Sequence, residues 1–151
     1  MSQMMSTPSQ VLNETQIRTL IEKRVQAVRT KDVNLAMSVV APGVLSFDIV
    51  SLLQYVGSDA SRKRTYEWFT AFEGPIGYEM SELSITTGDD VAFSHSLNHV
   101  NATKIDGLPL DMWWRATVCY CKVADTWLVT HEHNSVPFDV QSGQASLDLK
   151  P

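Results

Sequence analysis

The stretch that decides the fold is residues 76–136, IGYEMSELSITTGDDVAFSHSLNHVNATKIDGLPLDMWWRATVCYCKVADTWLVTHEHNSV. Within it, Ile76 to Thr87, Val91 to Lys104, Leu108 to Val123 and Trp127 to Val136 are rich in β-branched and aromatic residues, which suit a pleated, half-buried surface. Gly88-Asp89, Asp106-Gly107 and Ala124-Asp125 separate these runs as turns. Long strands joined by short turns make an antiparallel meander. Strands well beyond the usual five or six residues curl as their twist accumulates, and a curled sheet needs something in its concavity.

The residues upstream supply that filling. Ile17, Leu20, Ile21, Val25 and Val28 recur at helical spacing up to Lys31, and Asn13 with Gln16 reads as the capping box that starts the helix. Asp32 caps a short second helix through Val33, Leu35, Ala36 and Val39, which stops near Pro42-Gly43. A strand from Val44 to Val50 follows. Gly57-Ser58-Asp59 opens a third helix whose apolar side draws on Tyr66, Trp68, Phe69, Ala71 and Phe72 before Gly74-Pro75. Arg62, Lys63 and Arg64 on it read as a solvated face. Helices first and a meander afterwards give an α+β class with segregated helices.

A chain of 151 residues, 44% hydrophobic and 19% charged, is a single domain large enough for one core without disulfides or a structural metal. The expected organisation is a flexible N-terminus over residues 1–12, one domain over 13–138 and a polar C-terminal tail over 139–151. Seventeen acidic against twelve basic residues, a formal charge of −5, argue against nucleic acid or an anionic membrane as partner. Met1 to Gln10 carries no Lys, Arg or apolar run and does not read as a signal peptide, and no window approaches a membrane span. Cys119 and Cys121, at i and i+2 of one strand, read as reduced packing residues, so the expected compartment is the cytoplasm. No dinucleotide, P-loop, zincin or nucleophile-elbow motif occurs.

Chemistry must therefore come from single residues. If Asp106-Gly107 is a two-residue turn, Asn98 lies opposite Arg115, Ser96 opposite Thr117 and Ser94 opposite Cys119. One face then carries Ser94, Ser96, Asn98, Trp113, Arg115 and Thr117, and the other Phe93, His95, Leu97, Met112, Trp114, Ala116 and Val118. Either the polar set faces solvent, or it lines a cavity under the helices while the apolar set joins a second copy. His131 and His133 share a face with Trp127, Val129 and Ser135, and Glu132 faces the other way. They can be structural, acid–base groups or zinc ligands, although no third ligand lies at a suitable spacing, and no metal is expected. Asp48, between Phe47 and Ile49, is either a strand-end cap or a shielded carboxylate able to take a proton from carbon beside a carbonyl.

Three stretches carry a resemblance: Lys31-Asp32-Val33 to Ala41-Pro42-Gly43-Val44 with Asp48 downstream, Tyr55-Val56-Gly57, and Arg115-Ala116-Thr117 followed by Trp127 to Ser135. Over about residues 13 to 140 the chain resembles the SnoaL-like, ketosteroid isomerase-like branch of the nuclear transport factor 2-like superfamily. The resemblance implies a cone-shaped, cystatin-like α+β barrel, its curved sheet wrapped around the N-terminal helices over an apolar pocket. It also implies a homodimer packed through the sheet. An ungapped match puts Asp48 on the isomerase's proton-shuttling aspartate, Arg24 on its oxyanion-hole tyrosine and Thr117 near its protonated aspartic acid. Without those two donors, Arg115 with His131 or His133 is left to stabilise developing negative charge. Trp68, Phe72 and Trp113 are expected to wall the pocket, and Arg24, Tyr55, Asn98 and Thr117 to touch ligand. The expected function is cofactor-free acid–base chemistry, isomerase, hydratase or cyclase in kind, on a small, mostly apolar carbonyl compound; the alternative is a non-catalytic binding or dimerisation domain.

Overall fold

The structure, a computed structural model, describes residues 5–151; of the expected flexible N-terminus, residues 1–4 lie outside the described residues. Helix α1 (Pro8–Thr30) starts ahead of the expected Asn13, because Thr7 and Gln10 form the capping box and Pro8 pre-sets the first turn. Asn13 is instead a buried residue inside the helix. Its Nδ2 donates to the carbonyl of Gly88 (3.1 Å) and its Oδ1 accepts from Lys122 Nζ (3.0 Å), fixing α1 against the turn after Thr87 and a strand residue, Lys122. Helix α2 (Val33–Met37) is capped by Asp32, as its sequence indicates.

Strand β1 (Val40–Phe47) begins before Pro42-Gly43 instead of after it. It pairs with β2 (Tyr55–Val56) only at Leu45 and Ser46, so the missing N–H of Pro42 costs that ladder nothing. Helix α3 (Ser58–Thr70) ends two residues short of Phe72, which opens β3 (Phe72–Thr87) as a core residue; Tyr66 points outward. Strands β4 (Val91–Lys104), β5 (Pro109–Val123) and β6 (Thr126–Ser135) complete the meander. The six strands lie in the order β2-β1-β6-β5-β4-β3, antiparallel except for the β1–β6 pair. The sheet curves without closing, with β2 and β3 as its edges.

Its concave side meets the helices in two apolar clusters. Ile17, Leu20 and Ile21 of α1 pack on Val118, Tyr120, Trp127 and Val129, while Val28 and Phe69 pack with Ile76, Val100 and Trp114. Between them the wall is not filled, and this is where the cavity opens. No described helix is long and apolar enough to cross a membrane.

Two one-residue features decide which side chains reach the concave side. The β4–β5 loop has three residues, with Gly107 at φ 85° and Lys104 N donating to Leu108 O, so it is a bulged turn and not a two-residue one. Asn98 therefore pairs with Trp114, Ser96 with Ala116 and Ser94 with Val118. In β6, Tyr120 pairs with Val129 but Cys119 with His131, leaving Thr130 as an extra residue in a β-bulge. The bulge reverses the alternation, so Val129, Glu132 and Asn134 face the cavity side while His131 and His133 do not.

Candidate functional site

The cavity, about 310 Å³, lies between the concave sheet and the three helices, a size suited to a small organic molecule. Its wall is aromatic. Trp68 of α3 stands edge-on to Tyr78 of β3 and Trp114 of β5, each at 6.2 Å, and Tyr78 stacks on Trp114 at 5.9 Å. Met80, Val100, Leu110 and Met112 continue the apolar lining.

Polar groups enter this lining from one row of the curved sheet. Ser96 Oγ donates to Asn98 Oδ1 (2.7 Å), Asn98 Nδ2 donates to the Tyr78 hydroxyl (2.9 Å), and Ser94 Oγ shares a hydrogen bond with the Tyr120 hydroxyl (2.8 Å). The polar stripe read from β4 thus lines the cavity, but beside Trp114, Ala116 and Val118 instead of Trp113, Arg115 and Thr117. Trp114 Nε1 donates to Asn134 Oδ1 at 3.2 Å. Burial holds both the Tyr78 and Tyr120 phenols above the usual range, so they stay neutral at ordinary pH.

Two ion pairs complete the site. Arg24, on the α1 face turned to the sheet, donates through Nη2 to Glu132 Oε2; both side chains are about a fifth exposed, at 21% and 23%. Burial opposes the charge on Arg24, but Glu132 and the two neighbouring tyrosines outweigh it and keep the guanidinium protonated. Near the end of β1, Arg64 Nε donates to Asp48 Oδ2 (2.8 Å), and Asp48 Oδ1 accepts from the Ile49 amide (2.7 Å). Ser46, two residues before Asp48, also lines the cavity; it is 6% exposed and its hydroxyl has no hydrogen-bond partner among the described residues.

Of the residues singled out from sequence, the structure brings Arg24, Asp48, Tyr55, Trp68, Phe72 and Asn98 to this cavity. The Tyr55 hydroxyl is already engaged, donating to Ser51 O and accepting from Leu52 N (2.9 Å). Arg115, His131, His133, Trp113 and Thr117 lie on the convex face, away from the cavity where Arg115, Trp113 and Thr117 are expected; for the two histidines the sequence leaves the face open and the structure turns them outward. Arg115 and Thr117 are exposed, Arg115 Nε donating to Ser135 Oγ (3.1 Å). His131 Nδ1 donates to Leu45 O (2.6 Å), and both imidazoles pack edge-on to Phe47. Among the described residues no group of three His, Cys, Asp or Glu side chains is placed to hold a metal ion. The reading missed Glu132, Tyr78, Tyr120, Trp114 and Arg64. Arg64 had a signal, since Ser61, Arg64 or Thr65, and Trp68 recur at helical spacing on the face that turned inward.

A model of the SnoaL-like domain matches residues 17–139. The chain belongs to the SnoaL-like family. A nuclear transport factor 2-like protein of unknown function from Pseudomonas putida is 32% identical, with a TM-score of 0.85 over 93% of this chain and 98% of that one. A nuclear transport factor 2-like superfamily protein from Salmonella enterica serovar Typhimurium superposes with a TM-score of 0.77 at 14% identity, over 90% and 99% of the two chains. A ketosteroid isomerase-like protein from Erwinia carotovora atroseptica does so with 0.69 at 17% identity, over 80% and 93%. The last two similarities establish the shared fold and nothing finer. No match to a curated protein was found.

Proposed function

We propose that this SnoaL-like protein binds a small, mostly apolar carbonyl compound in the cavity and moves a proton on it without a cofactor, Asp48 acting as the base. The observation that carries the reading is a carboxylate opening onto an aromatic-walled cavity while a guanidinium, Arg64, and a backbone N–H hold it in place. In this reading Asp48 takes the proton from the carbon beside the carbonyl, and the electron pair moves to the carbonyl oxygen. Returning that proton to a carbon further along the conjugated system isomerises the compound; losing a β-hydroxyl as water dehydrates it. Arg115 and the histidines lie on the convex face and take no part in this chemistry. Trp68, Phe72 and Trp114 wall the site, and a second copy covers the convex face.

The test is a turnover screen over enolisable ring ketones and β-hydroxy ketones, with Asp48→Asn beside the wild type. We expect Asp48→Asn to lower kcat at least 100-fold on any active compound; unchanged turnover removes Asp48 from the chemistry. A second reading, a binding module without turnover, is favoured by Asp48 and Glu132 each being neutralised by an arginine. Native mass spectrometry addresses it: a retained molecule recovered chemically unaltered, with no active compound in the screen, supports the module.

A further inference from the structure

Arg24, Glu132 and Ser46 form one cluster on the cavity wall, and its hydrogen-bonding capacity is not used up. Ser46 and Glu132 are register partners on the parallel strands β1 and β6, so their side chains stand next to each other on the concave side. Arg24 bonds the same Glu132 from α1. Among the described residues Glu132 accepts only through Oε2, leaving Oε1 open, and Arg24 donates only through Nη2, leaving its other N–H groups open. The Ser46 hydroxyl has no partner among the described residues, although it is 6% exposed and lines the cavity. A buried polar atom without a partner costs stability unless something else satisfies it. The charges are balanced as well: Arg24 with Glu132 and Arg64 with Asp48 each sum to zero.

We propose that this cluster is the anchor for a hydroxyl group at one end of the ligand, and that the cavity selects neutral hydroxyl compounds over carboxylates and phosphates. A hydroxyl has one proton to give and two lone pairs. The cluster offers the counterpart, an open carboxylate oxygen on Glu132 and two donors, an Arg24 N–H and the Ser46 O–H. A carboxylate placed here meets Glu132 at hydrogen-bonding distance, with no uncompensated cation to offset the repulsion. An ether or ester fills the space but leaves Glu132 Oε1 unmatched. Asp48 lies two residues beyond Ser46, about 6.5 Å along the chain for extended backbone, so a molecule anchored at Ser46 reaches Asp48 through a short apolar body. The inference rests on the cavity being the ligand site and adds which end of the ligand is polar and of what kind.

The test is calorimetric titration of the wild-type protein with three probes sharing one ring system: 2-naphthylmethanol, its methyl ether and 2-naphthoate. The expected order is alcohol tightest, ether roughly ten-fold weaker through the lost hydrogen bond to a charged acceptor, and naphthoate weakest. An ether equal to the alcohol, or a naphthoate tighter than it, overturns the anchor while leaving the cavity as a ligand site. Binding of none of the three removes the ligand-site reading itself. Two variants sharpen the result. Ser46→Ala keeps the fold, is at least as stable as wild type without ligand because an unpartnered buried hydroxyl is gone, and binds the alcohol several-fold more weakly. Glu132→Gln narrows the gap between alcohol and ether and tightens naphthoate, because Arg24 becomes an unpaired cation. If Ser46→Ala leaves alcohol binding unchanged, Ser46 has no part in the anchor.

Discussion

His99 shows how neighbours can favour one charge state of a side chain. On the convex face its ring stacks on Trp113 at 4.5 Å, while Nδ1 meets Glu79 at 3.0 Å and Nε2 meets Asp111 at 2.8 Å. Both nitrogens can donate at once only in the imidazolium. Burial works against that charge, but the hydrogen bonds and fields of the two carboxylates outweigh it and raise the His99 pKa above the ordinary value. A pKa raised on folding contributes stability that is present below the unfolded value, about 6.5, and lost as pH climbs through the folded one. His99→Gln should therefore lose more stability relative to wild type at pH 6 than at pH 9 in urea denaturation; an equal loss at both would mean that the clamp does not depend on charge. At this same scale the candidate site was only half legible. Asp48 and Arg24 stand out as charges among apolar neighbours, and both reach the cavity. Glu132 is equally charged but sits between two histidines, and which of the three faces inward depends on a backbone irregularity elsewhere in the strand.

Elements were easier to read than their edges. The bounds of β4 agree with its run of alternating residues, and α2 begins where Asp32 caps it. The errors have local causes: a capping box earlier than the one noticed, and a turn of three residues where Asp-Gly suggested two. Composition does not distinguish those turns, because Gly107 serves either. In β3 the backbone itself becomes the constraint. A Cβ on Gly77 would stand 2.6 Å from the carbonyl oxygen of Asn101, whereas one on Gly43 would have nothing within 4 Å. Gly77→Ala is expected to cost about 1–3 kcal/mol by forcing the β3–β4 pair apart. Gly43→Ala should be neutral or stabilising by up to about 1 kcal/mol through the unfolded chain. Equal denaturation midpoints for the two variants would show that the β3 backbone yields freely.

For the whole molecule, a compact monomer of 16.9 kDa exposes roughly 7,700 Å², and this chain exposes 9480 Å². The convex face contributes apolar area to it, including Val91 and Phe93, exposed at 56% and 46%. A second copy on that face is the expected cover. Phe93→Glu should then sediment as a monomer while keeping the probe affinities of the cavity on the opposite side; a dimer that survives it would point to another surface. The helix-filled, curved sheet was legible because strand length, turn spacing and apolar periodicity agree with one another. The face of each β6 side chain was not, because Thr130 fits a regular strand and a bulge alike. That bulge behaves like a reading frame. Counting from Val129, every later residue of β6 is displaced by one place in the two-residue period, so the same residues in a regular strand would present imidazoles to the cavity where this chain presents a carboxylate and an amide. Deleting Thr130 together with its bulge would leave Glu132 and Asn134 facing inward, whereas flattening the bulge with no residue lost would exchange the chemistry of that wall.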